Sequence, residues 1–264
     1  MSLRINTNVE AFNAHRNLES TSNKLAKSME RLSSGYRINR AADDAAGLAI
    51  SEKLRGQIGG LNQARRNVQD GISLVQTAEG SLTEAHAMLQ RVRELAVQHA
   101  TGTLAAGDRA AIVAETRQLT DEIRRISRTA QFNGIRLLDA ATTIGFQVGA
   151  NDRETISVDT FDLAAAAAGV DVTAATALRD IDIAIGRVSD QRAAFGAVQN
   201  RLEHTYNNLS VYQENLSASE SRIRDVDMAA EMVTFTKNNI LQQAGTSMLA
   251  QAQQAPQSVL SLLR

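Results

Sequence analysis

The sequence predicts a mainly α-helical protein. Long heptad-patterned helices form an antiparallel coiled-coil rod with one small β-hairpin, and terminal helices pair as an inner coiled coil. The first observation behind this is a strict seven-residue apolar register held in both halves of the chain. It runs through Leu54, Leu61, Val68, Val75, Leu82, Leu89 and Ala96, and again through Ile181, Val188, Phe195, Leu202, Leu209, Leu216, Ile223 and Ala230. An ideal helix drifts by about 20° per heptad, so a register held this long implies left-handed supercoiling around partner helices. The second observation is compositional: aromatics make up only 3% of 264 residues, Trp is absent, and Pro256 is the sole proline. Ala-, Leu- and Gln-rich chains of that kind favour long helices over a compact enzyme core. The third is a single change of period to two, confined to residues 144–158.

Taken in order, residues 1–33 place Ile5, Val9, Phe12, Leu18, Leu25, Met29 and Leu32 at three- and four-residue steps, which predicts an amphipathic helix with a thin apolar face. Ser33-Ser34-Gly35 ends it, and Tyr36 to Asp44 reads as an irregular connector. Asp43-Asp44 put negative charge where the next helix begins, as the helix dipole favours. That helix is expected from about Ala45 to Ala100, about 85 Å long. Its second row, Gln57, Ala64, Gly71, Ala78, Ala85 and Val92, is mostly small, so a neighbouring helix can approach closely. Gly59, Gly60, Gly71 and Gly80 each cost up to about 1 kcal/mol in a helix interior, so packing must compensate.

After Thr101-Gly102 and a Gly107-Asp108 cap, a shorter helix presents Ile112, Thr116, Leu119, Ile123, Ile126 and Ala130 on one face. Gln131-Phe132-Asn133-Gly134 closes it with a turn. Ile144, Phe146 and Val148 then alternate with small or polar residues, as do Ile156 and Val158 after a turn at 150–154, which predicts a hairpin. Residues 160–177 read as a loop or a short helix. The second long helix is expected from about Leu178. Its companion row, Ala184, Gln191, Val198, Thr205, Tyr212, Ser219, Val226, Val233 and Ile240, carries the heptad past Arg222. Residues 226–264 continue through Ala244, Met248, Ala252, Val259 and Leu262, with Pro256 expected to kink or end the helix.

Both terminal segments are thin amphipathic helices joined to a more robust bundle. Alone they are expected to be disordered, and with copies from neighbouring chains they are expected to form a continuous inner sheath. The net charge of −1, from 28 basic and 29 acidic residues, gives no electrostatic reason to expect nucleic acid or an anionic membrane as partner. The chain has no cysteine, which excludes disulfides and thiolate metal sites. No run approaches the roughly 20 apolar residues of a membrane span, and residues 1–8 lack the pattern of a secretory signal. His15, His86, His99 and His204 have no metal-ligand spacing, and the glycines form no phosphate loop. No catalytic residue, cofactor or metal is expected. Two glycosylation sequons, at Asn208 and Asn215, have seam leucines at their centres and are discounted.

The same segments resemble bacterial flagellin. The resemblance is carried by Met1-Ser2-Leu3-Arg4-Ile5-Asn6-Thr7-Asn8, by the runs from Leu32 to Ile50 and from Leu89 to Gln98, and by Gln131-Phe132-Asn133-Gly134. It continues through Gln147 to Asp152, Ser221 to Met232 and Ser258 to Arg264. Only residues 160–177 fall outside it, where many family members insert large variable outer domains. The resemblance implies a minimal filament subunit, exported unfolded by a type III route and polymerised at the filament tip through its terminal helices. Residues 1–40 and 224–264 would form an inner polymerisation domain. Residues 41–160 and 178–223 would form the conserved rod domain, with 161–177 as linker.

The polymerisation residues expected are Ile5, Val9, Phe12, Leu25, Leu32, Val233, Ile240, Met248, Val259 and Leu262. The rod seam is expected to comprise Leu54, Leu61, Val68, Val75, Leu82, Leu89, Val188, Phe195, Leu202, Leu209 and Leu216. The implied partners are further copies of the subunit, an export chaperone on the C-terminal tail, the filament cap and the hook-junction proteins. The resemblance also places Arg91, Leu95 and Glu115 on an inter-subunit surface that Toll-like receptor 5 recognises in some members. Periodicity alone would fit an ordinary coiled-coil adaptor, and the alternative within the flagellum is a hook–filament junction protein.

Overall fold

The computed structural model describes residues 7–262, with side chains through Gln254. It divides into two compact units: one takes the chain through Gly56 and from Leu216 onward, the other spans Gln57–Asn215. Among the described residues no helix is long and apolar enough to cross a membrane.

In the central unit the heptad rows do what their spacing predicts. The long helix α2 (Ala45–His99) runs antiparallel to α5 (Ala177–Arg224). Cross-helix pairs fix the direction: Arg65 meets Tyr206 and Gln213, Arg192 lies 3.8 Å from Glu79, and Arg93 lies 2.6 Å from Asp182. Leu61, Val68, Val75, Leu82 and Leu89 are buried, with Ala64, Ala78, Ala85 and Val92 between them. They meet Ile181, Val188, Phe195, Leu202 and Leu209, also buried. Leu54 and Leu216, the ends of the two rows, belong to the other unit and are only half-buried.

A third layer closes this core. Helix α3 (Ala106–Thr129) buries Ile112, Thr116, Thr120, Ile123 and Ser127. Its cap is Ala105, with no side-chain hydrogen bond, and Asp108 lies in the first turn instead of capping as the sequence suggested. Two antiparallel hairpins follow, where one was expected. The first, β1 (Gln131–Phe132) with β2 (Ile135–Arg136), turns on Asn133 and Gly134, both in the left-handed region. Its Asn-Gly pair suits the tight turn that two-residue hairpins require. The second, β3 (Thr143–Gln147) with β4 (Thr155–Asp159), buries Ile156 and Val158. It is tied to α2 by the Asn67 amide donating to the Gln147 carbonyl at 2.9 Å, and to α5 by Gln191 donating to the Asp159 carbonyl at 3.1 Å. At Gly60 an added Cβ would stand 2.9 Å from the Ala150 Cβ, so this glycine lets the hairpin turn approach the helix. Between β4 and α5 lies the short α4 (Leu163–Ala166), capped by Asp162.

In the other unit α1 (Val9–Ser34) packs along α6 (Met228–Leu262). The helices are antiparallel: Asn8 reaches Ala252, Leu18 lies against Gly245, and Arg31 against Glu231. Helix α1 ends at Gly35, whose φ of 75° is the left-handed cap that glycine adopts without a Cβ penalty. The Gly35 carbonyl accepts from Val226 N–H at 3.0 Å, and Arg37 N–H donates to the Arg224 carbonyl at 2.7 Å. The Arg224 guanidinium stacks 5.0 Å from the Tyr36 ring centre and pairs with Glu52 at 2.6 Å.

One expectation is corrected here. The heptad does not run on past Arg222 in one helix, because the chain breaks at 225–227. Asp227 caps α6 by accepting from Ala229 and Ala230 N–H at 2.9 and 3.1 Å. Of the two outcomes expected at Pro256, a kink or an end, the helix does not end there but continues to Leu262.

The paired acids split their work. Asp44 caps α2 by accepting from Gly47 N–H at 2.8 Å. Asp43 instead closes the connector: its carboxylate pairs with Lys27 at 2.6 Å and accepts from Asn39 and Arg40 N–H at 3.2 and 3.1 Å. The Lys27 hydrogen bond, and then the two backbone N–H groups, pull its pKa from 3.8 to about 2.

Two outcomes are expected. Phe195→Ala, at a site 2% exposed, should destabilise the central unit by about 3–5 kcal/mol in denaturant melts. For Asp43, a folded pKa below the unfolded one means a contribution present above pH 3.8 and lost as pH falls toward about 2. The stability gap between wild type and Asp43→Ala, followed by melting across that window, should therefore close on acidification.

Candidate functional site

The terminal helix pair leaves a large apolar surface uncovered. On α1 the positions of lower exposure repeat as Ala11, Ala14, Leu18, Thr21, Leu25, Ser28 and Leu32. On α6 they are Glu231, Phe235, Asn238, Gln242, Gly245, Leu249 and Ala252. Both rows follow the three–four spacing of a coiled-coil face, and α6 presents small and polar residues at most of its positions. The layer at Arg31–Glu231, 3.5 Å apart with Glu231 buried, together with buried Ser28 and Asn238, gives the pair a polar register mark. Polar groups at such positions favour one alignment at some cost in stability.

The residues expected to drive polymerisation separate into two sets on this geometry. Leu25 and Leu32 face α6 and are half-buried. Val9, Phe12, Val233 and Ile240 point away from the pair, with Phe12 69% exposed and Val233 70%, while Met248 is exposed at the edge of the groove between the helices. Met228, Met232 and Leu241 are further exposed apolar side chains on α6. Ile5, and the side chains of Val259 and Leu262, lie outside the described residues. A groove of about 660 Å³ runs between the helices, lined by Asn13, Leu18, Thr21, Leu241, Gly245 and Met248 among others. Exposed apolar side chains clustered this way mark an interaction surface more than a solvated one.

What sequence reasoning missed is the inward face of α6. Its signal was present as a heptad of 231, 235, 238, 242, 245, 249 and 252, but an apolar search passes over Glu231, Asn238 and Gln242. The row it found instead, Val233 and Ile240, is the outward one.

In the central unit, Arg91 and Glu115 form an exposed pair between α2 and α3. The Arg91 guanidinium donates to one Glu115 oxygen through Nε at 3.1 Å and Nη2 at 2.9 Å, and to Glu94 at 3.1 Å. Glu115 first, and Glu94 after it, raise the Arg91 pKa above its ordinary value. Leu95 does not share that surface: at 1% exposure it belongs to the interior, one helical turn from Arg91 but turned inward. Among the described residues no three His, Asp or Glu side chains converge to hold a metal ion.

Comparison with known proteins places the chain clearly. Residues 5–143 match the family model of the bacterial flagellin N-terminal helical region, and residues 178–263 that of the C-terminal helical region. A flagellin of Halalkalibacterium halodurans is 57% identical over 270 residues, covering 98% of this chain and 99% of that protein. A flagellin of Bacillus subtilis is 54% identical over 304 residues, covering 99% and 100%. Among solved structures, the crystal structure of Bacillus cereus flagellin aligns with a TM-score of 0.51 at 32% identity, over 55% of this chain and 88% of that one.

Proposed function

The chain belongs to the bacterial flagellin family, and on that premise we propose that it is the structural subunit of a flagellar filament, self-assembling through its terminal helices. Flagellins are structural proteins and not enzymes. The observation that carries the reading is the exposed Val233 and Ile240, left bare on a helix whose other face is already paired. Burying such side chains against neighbouring copies contributes about 1.5–3 kcal/mol each, repeated for every subunit added.

In this reading residues 1–40 and 224–264 make the inner, polymerising layer. Residues 41–160 and 178–223 make the outer helical domain, and 161–177 replaces the variable outer domains of longer relatives. The subunit leaves the cell unfolded by a type III route and adds at the distal tip, outside the cell, beneath the filament cap. An export chaperone holds the C-terminal tail beforehand, and hook-junction proteins seat the first subunits. Arg91 and Glu115 serve packing between neighbouring subunits, and Toll-like receptor 5 binding uses the same exposed pair.

The test is seeded polymerisation followed by sedimentation and negative-stain microscopy. Val233→Ser with Ile240→Ser should raise the soluble concentration left at equilibrium by about tenfold or more. Melting of the central unit should not change. Filaments of unchanged yield and length from the double variant would overturn the reading.

A further inference from the structure

A hydrogen bond between the two ends of the chain repairs a defect that the sequence writes into α6. In an α-helix each carbonyl accepts from the N–H four residues on. The Ala252 carbonyl would accept from residue 256, and residue 256 is proline, which has no N–H. Helix α6 nevertheless continues to Leu262. The Ala252 carbonyl accepts instead from the side-chain amide of Asn8, at 2.7 Å and partly shielded from solvent.

The same amide has a second task. Its oxygen accepts from Ala11 N–H at 3.0 Å, and the Asn8 carbonyl accepts from Phe12 N–H at 3.2 Å, so Asn8 is also the N-cap that starts α1. The two tasks together select the residue type. Capping asks for a short side chain with an acceptor; Asp, Ser and Thr supply that as well as Asn. Donating at the same time from the far side of the group needs the NH₂ that only an amide carries. Asp has no donor at neutral pH, and the Ser hydroxyl is too close to its own backbone to span both partners.

We infer that Asn8 is a positioning residue that makes the last turns of α6 conditional on the first turn of α1. Away from α1, the carbonyl at Ala252 has no helical donor, and the segment beyond it has lost the bond that would tie it to the preceding turn. With α1 docked, Asn8 supplies that bond, and it can do so only from the geometry in which it caps its own helix. The two chain ends therefore order together, and Pro256 serves as the device that makes this so. This holds independently of what the ordered pair goes on to bind.

The test is a double-mutant cycle on the full-length chain. Hydrogen–deuterium exchange is followed at residues 253–262, in the soluble protein and in sedimented polymer. Asn8→Asp and Asn8→Ser keep a capping acceptor and remove the amide donor. Each should speed exchange at 253–262 by about fivefold or more while Pro256 is present. In the Pro256→Ala background an N–H returns at 256, and the same changes should alter exchange by less than about twofold. Equal acceleration in both backgrounds would show that Asn8 acts only on α1 docking, and no acceleration in either would show that the bond is idle. Either result overturns the inference, as would wild-type amides at 253–262 that are unprotected in both states.

Discussion

Two helices cannot bury a helix that is apolar on more than one side, and α6 is such a helix. Its partner α1 covers the face from Glu231 to Ala252, where most side chains are small or polar and only Phe235 and Leu249 are large and apolar. Val233 and Ile240 are left outside, and Met248 is exposed at the groove's edge. A soluble two-helix unit would be expected to place those residues inward and Glu231, Asn238 and Gln242 outward. The reversed arrangement is unfavourable for an isolated chain and favourable for one that adds copies. Apolar surface that one molecule cannot cover is covered by the next, and the polar layer at Arg31–Glu231 keeps the pair in one alignment meanwhile. Pairing and outward exposure are thus assigned to different faces of one helix.

The central unit shows what the same heptad spacing produces when a third layer is available. There α2 and α5 are overlaid by α3 and by the second hairpin, and the rows from Leu61 to Leu89 and from Ile181 to Leu209 are buried throughout. Small residues such as Ala64, Ala78 and Ala85 alternate with the leucines and valines, which allows interdigitation at interior packing density. This unit has a core of its own, so its stability does not wait on neighbouring copies. The terminal pair, by contrast, relies on polar marks and on the Asn8 bond for its order.

How much of this was legible in the sequence follows from what periodicity can and cannot report. The long helices, their antiparallel pairing and the second hairpin were legible because apolar residues at fixed spacing leave few other arrangements. The first hairpin reads as a bare turn in the sequence because each of its strands has only two residues, too short to display a period. The break at 225–227 was hidden because apolar residues keep heptad spacing on both sides of it; Asp227 as a cap was the local sign. The family resemblance places Leu95 on a surface, but its position in the heptad next to Ala96 and Val92 points inward, and it is buried. The passage of α6 through Pro256 was not legible at all, because the bond that permits it comes from a residue 244 positions before Ala252.

The measurement that tests this account most directly uses the absence of cysteine from the chain. Single thiols introduced as Phe12→Cys, Val233→Cys and Ile240→Cys are each unique, and their reaction with a maleimide can be timed in soluble protein and in polymer. If the outward row is the bond between subunits, all three should react freely in the soluble chain and become strongly protected on assembly. Polymer in which these thiols stay as reactive as in the soluble protein would contradict the account, because the row would then not be what the neighbouring copy covers.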